Sequence, residues 1–120
     1  MMEKNIFDLL VVFDDVLPQT PDDEANARFT FISHRSKDFA IYLHISPADM
    51  YSNICVKVEG KFIRLVEFMY CKRIRVLDQK KKCIEIVGGS IDSFDIRCFL
   101  QLTNEDSWIE IDTQYQYCED

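Results

Sequence analysis

The hydrophobic pattern of the chain changes period once. From residue 3 to residue 17, Ile6, Leu9, Leu10, Phe13, Val16 and Leu17 recur at helical spacing, with Asp8, Asp14 and Asp15 off the stripe. The spacing predicts an amphipathic helix, ended by Pro18. Val11 and Val12 weaken its intrinsic propensity, so packing must supply most of its stability. Thr20-Pro21-Asp22-Asp23-Glu24 reads as a second helix start: a capping Thr, a Pro suited to the first turn, and acids at the positive end of the dipole. Only Ala25 and Ala27 follow as apolar residues, so this element is expected to be short.

Beyond Arg28 the period becomes that of strands. Phe29–Ile32 and Phe39–Ile45 flank polar His34-Arg35-Ser36-Lys37; Ile54–Val58 and Phe62–Met69 flank Glu59-Gly60-Lys61. Arg73–Val76 and Ile84–Val87 flank a charged turn, Gly88-Gly89-Ser90 marks a loop, and Phe94–Cys98 and Trp108–Asp112 form the last pair. Phe62–Met69 is apolar on both faces at period two, which predicts a central strand covered on each side. The expected fold class is α+β. One domain spans residues 1–120, its N-terminal amphipathic helix packed on an antiparallel sheet, or a partly closed sandwich, of about eight strands arranged as hairpins.

Composition supports a folded core without staples: 120 residues, 48% hydrophobic, nine Phe. Five cysteines, none in a metal-ligand spacing, are expected as free thiols in a reducing cytoplasm. The start lacks a signal-peptide pattern, and no apolar run is long enough to cross a bilayer. Neither a cofactor nor a metal is expected.

The net charge of −7 is unevenly distributed. Residues 1–56 carry −5, residues 57–82 carry +6 and residues 83–120 carry −8. The basic middle, with Lys72-Arg73-Ile74-Arg75 and Lys80-Lys81-Lys82, invites a nucleic-acid reading, but −13 in the flanks opposes a polyanion. A lysine-rich hairpin tip that keeps an edge soluble accounts for it equally simply. The C-terminal strand alternates Ile109 and Ile111, facing inward, with Trp108, Glu110 and Asp112, facing outward. A Trp among acids combines an anchor residue with charge steering toward a basic partner; the plain alternative is a solvated face with its Trp tucked under a loop.

Templates for catalysis find little. His34-Arg35-Ser36 and His44-Ile45-Ser46 are H-x-S tripeptides similar to those of two-histidine phosphoesterases. They lie ten residues apart in one hairpin, with His44 expected opposite Arg28 and His34 at the tip, too far apart to share a phosphate. Asp92 and Asp95 lack the oxygen-ligand spacing of a calcium loop. The chain is not expected to be an enzyme.

In size, acidity, free cysteines and the stretches Glu105-Asp106, Trp108–Asp112 and Glu119-Asp120, the chain resembles the small acidic immunity proteins of bacterial contact-dependent inhibition and polymorphic toxin systems. The resemblance implies a toxin-neutralising protein, monomeric or weakly dimeric, that blocks a basic toxin domain of nuclease type and binds neither nucleic acid nor membrane. The candidate partner-binding residues are Trp108, Glu110, Asp112, Glu105 and Asp106, with outlying acids Asp92, Asp95, Asp22, Asp23 and Glu24. A secretion-type chaperone would need a long dimer helix from residues 47–53, which are few and polar. A small nucleic-acid-binding module would use residues 57–82.

Overall fold

The computed structural model describes residues 6–89, 95–103 and 105–113. They form nine strands: β1 (Asp15–Val16), β2 (Phe29–Ser36), β3 (Phe39–Ser46), β4 (Tyr51–Val58), β5 (Lys61–Phe68), β6 (Tyr70–Asp78), β7 (Cys83–Gly89), β8 (Asp95–Leu102) and β9 (Ser107–Asp112). Each strand pairs with its neighbour in sequence. β1 to β5 make one antiparallel meander and β6 to β9 a second. The inner faces share one core, with Phe31, Leu43, Ile45, Ile54 and Phe68 from the first sheet against Ile74, Ile84, Ile86, Cys98 and Leu100 from the second. Two packed sheets with a common apolar layer make a β-sandwich.

This corrects the α+β expectation. The one α-helix among the described residues, α1 (Pro21–Ala25), carries the expected Thr20 capping box but buries no residue. Ile6–Val11 is a 3-10 helix rather than part of a long amphipathic helix, and Asp15–Val16 then pairs with β2. Extended backbone wins there because β2 offers ready partners. The Asp14 N–H donates to the Ile32 carbonyl at 2.9 Å and the Leu17 N–H to that of Thr30 at 2.8 Å, while the two valines oppose helix. Leu9, Val12 and Phe13 still enter the core, whereas Leu10 and Leu17 stay exposed.

A second correction concerns Phe62–Met69. β5 is the outermost strand of the five-stranded sheet, not a central one. After Phe68 the chain spends a single residue, Met69, before starting β6 in the other sheet, so β5 has no second neighbour among the described residues. Gly88 permits that corner: a Cβ there would collide with the Tyr70 carbonyl oxygen and lie 2.9 Å from the Cys71 Cα.

Two bulges in the first sheet set which of its side chains face where. Arg35 is an extra residue in β2, between the His34–Ala40 and Ser36–Phe39 pairs. Its guanidinium donates to the carbonyls of Leu102 at 2.8 Å and Thr103 at 2.5 Å, tying the first sheet to the β8–β9 hairpin. Leu65 is extra in β5: Cys55 pairs with Arg64 while Ile54 pairs with Val66. The insertion reverses the alternation, placing Phe62, Arg64 and Glu67 on the outer face and Ile63, Val66 and Phe68 on the inner one.

Candidate functional site

Among the described residues, four of the nine basic residues of the 57–82 segment are held in ion pairs within the fold. Lys72 Nζ lies 3.0 Å from Asp95 Oδ1. Arg73, Arg75 and Arg97 converge on the fully buried carboxylate of Glu85, at 2.9, 2.8 and 2.9 Å. Arg64 meets Glu67 at 2.9 Å. Glu85 and Asp95 of the acidic C-terminal segment therefore meet Arg73, Arg75 and Lys72 of the basic middle across neighbouring strands.

The candidate acids fall on separate elements. Asp22 and Asp23 lie in the first turn of α1 and both pair with Arg28, while Glu24 stands exposed beside them. Asp95 opens β8 and is held by Lys72. Asp92 lies outside the described residues, as do Glu119 and Asp120. Glu105, Asp106, Trp108, Glu110 and Asp112 remain together on the β8–β9 hairpin and on β9, the outer strand of the four-stranded sheet.

That hairpin is rigidly made. Gln101 Nε2 and Thr103 Oγ1 each donate to the Asp106 carbonyl at 2.8 Å, and the Asp106 N–H returns a bond to Thr103 Oγ1 at 3.1 Å. Arg35 also donates to Ser107 Oγ. Along β9, Trp108, Glu110 and Asp112 stand opposite Gln101, Phe99 and Arg97 on the outer face, and Arg97 stacks over Phe99 at 4.4 Å. Ile109 packs against the core. Trp108 is 40% exposed, not tucked under a loop, and among the described residues neither Glu105 nor Glu110 makes an ion pair.

A polar network that the alternation reading passed over covers the outer face of the first sheet. Tyr51, Asn53 and Cys55 share that face of β4. The Tyr51 hydroxyl donates to Glu67 Oε2 at 2.5 Å, Asn53 Nδ2 donates to the Tyr51 oxygen at 2.9 Å, and Cys55 Sγ donates to Asn53 Oδ1 at 3.2 Å. Burial, reinforced by the bond to Glu67, raises the Tyr51 hydroxyl above its ordinary pKa. Next to them His44 Nδ1 lies 2.9 Å from Thr30 Oγ1, under the ring of Tyr42. Burial, and then the nearby Arg64 charge, hold its pKa below the usual histidine value. The visible signal was three polar residues at period two, Tyr51, Asn53 and Cys55, opposite the apolar set already counted.

His44 pairs with Thr30, not Arg28, and His34 pairs with Ala40. The two histidines share a face but stand four residues apart along the hairpin, about 13 Å. His34 instead lines an open hollow of about 340 Å³ with Lys37, Tyr42, Lys57 and Gly60. Among the described residues no three His, Cys, Asp or Glu side chains converge as a metal site, and no helix is long and apolar enough to cross a membrane. Residues 47–49 form one 3-10 turn where a chaperone of the secretion type would need its dimer helix.

Comparison with family models, with curated proteins and with solved structures finds no match.

Proposed function

We propose that the protein is a toxin-neutralising binding protein of the immunity type, which docks a basic toxin domain, nuclease in kind, on the β8–β9 edge. The observation that carries this reading is the half-exposed Trp108 beside Glu105 and Glu110, whose carboxylates make no ion pair among the described residues, on a hairpin fixed from behind. A Trp supplies buried contact area at low entropic cost, and carboxylates placed where phosphates would lie suit a nuclease cleft. The outer edge of β9, beyond which no strand lies among the described residues, adds main-chain donors and acceptors to that surface. On this reading the pair meets in a reducing cytoplasm, where Cys55, Cys71, Cys83 and Cys98 stay free.

Affinity capture from the native cell, or co-expression with the neighbouring reading frame, tests the proposal. A stoichiometric basic partner is expected. Trp108→Ala should weaken that complex by about thirtyfold or more, mainly through faster dissociation, and Glu110→Lys should slow association in a salt-dependent way. Capture of RNA or DNA with steep salt dependence, or a complex indifferent to both substitutions, overturns it.

A further inference from the structure

The second outer strand poses a different problem. β5 exposes large apolar side chains on both faces: Phe62 is 58% exposed, Ile63 51% and Leu65 40%. Met69 and Tyr70 continue the exposed surface around the corner into β6. An open, two-faced apolar edge is what soluble proteins normally blunt or pair.

We infer that β5 is a homodimer interface, two copies pairing antiparallel about Ile63. The backbone selects that register. β4 and β5 join through a two-residue turn with Glu59 and Gly60 at φ 50° and 81°, and Val58 pairs with Lys61 across it. Residues flanking such a turn exchange hydrogen bonds, so Lys61 and Ile63 turn their backbone polar groups toward β4. Phe62 and Arg64 turn theirs toward the open edge. A two-fold axis at Ile63 sets Phe62 of each copy opposite Arg64 of the other, which satisfies all four outward groups on each side. The same register lays each Arg64 guanidinium beside the opposing Phe62 ring on the outer face, as Lys57 already lies over Phe62 at 5.3 Å within one chain. It also brings Ile63 against Ile63. A shift of the axis to Arg64 would place like charges opposite each other, and a shift to Phe62 would meet the turn at Gly60. An isologous pair closes on itself, and β9 remains open.

Sedimentation of the purified chain over a concentration series is the test. A monomer–dimer equilibrium is expected, weakened at least about tenfold by Ile63→Lys and unchanged by Trp108→Ala. Ile63 is half exposed, so the charge is tolerated by the monomer; an unchanged melting curve under monomeric conditions verifies this. Register is read by oxidation. Ile63→Cys sits in a non-hydrogen-bonded pair with Cα atoms about 4.5 Å apart and should cross-link two copies above the wild-type background, whereas Phe62→Cys should not. A monomer at every concentration, a dimer unmoved by Ile63→Lys, or equal cross-linking at both positions overturns the inference.

Discussion

The outer faces of the two sheets solve the same problem in opposite ways. The four-stranded sheet places one carboxylate, Glu85, completely out of water and surrounds it with three guanidinium groups from β6 and β8. The five-stranded sheet spreads neutral donors and acceptors across Tyr51, Asn53, Cys55, Thr30 and His44, with the Arg64–Glu67 ion pair at the solvent edge. A buried charge is committed to its partners, because desolvation cost has already been incurred and only those partners offset it. A half-wet neutral network can lose a member and recruit water instead.

Replacing the central carboxylate on each face should expose that difference, and it gives the largest expected effect. Glu85→Gln leaves Arg73, Arg75 and Arg97 facing one another around a neutral amide. A loss of about 3 kcal/mol is expected by urea denaturation, the guanidinium groups being partly hydrated already. Glu67→Gln, with Tyr51 and Arg64 both able to turn to water, should cost severalfold less. Equal losses would mean that the two faces do not differ in the way described.

The same contrast explains what was legible in the sequence. Every strand read from alternation overlaps an observed one, because turn residues such as Glu59-Gly60 and the period-two apolar runs are local signals. The class was misread where a local signal lost to a long-range partner: Ile6–Leu17 has a helical stripe, but β2 offers Asp14 to Leu17 a ladder. The place of β5 was misread because two apolar faces look alike whether covered or bare, and strand order is not written locally. Its bulge hid the outer face as well. Arg64 and Glu67 are three apart, opposite faces by simple alternation, and become neighbours only because Leu65 is extra. Glu85 looked like one polar residue in an apolar run, and its three partners come from two other strands or from across the ladder. The outward face of Trp108, Glu110 and Asp112 was legible because strand pairing along β9 is unbroken.

A pH titration separates the faces by a smaller amount. His44 has its folded pKa lowered from the ordinary value near 6.5, chiefly by burial. Above that value the ring is neutral in both folded and unfolded chains, and the neutral network contributes fully. As pH falls below about 6.5 the unfolded chain takes up a proton first, so stability is lost until pH passes the lowered folded pKa. Thermal melts across this window should show the decline in the wild type and a flatter profile in His44→Gln. A decline of the same size in the variant would move the titrating group elsewhere.

Thiol reactivity gives the finest test, since Cys55 belongs to the outer face of the first sheet while Cys71 and Cys98 lie in the shared core. Burial pushes both core thiols up to about 12. At pH 8 each is then thiolate to about one part in ten thousand, and the reagent must also wait for the sheets to open. Cys55 is buried at 9% exposure but faces the outer side of its sheet, with Sγ donating to the Asn53 amide oxygen at 3.2 Å. Under alkylation of the native protein followed by mass spectrometry, Cys55 should label before Cys71 and Cys98, which should label together at the slow rate of core opening. Loosening the network with Asn53→Ala should speed Cys55 alone. If Cys98 kept pace with Cys55, the four-stranded sheet would not be closed over the core on its inner side, and the burial of Glu85 on its outer side could not be read as the commitment that distinguishes the two faces.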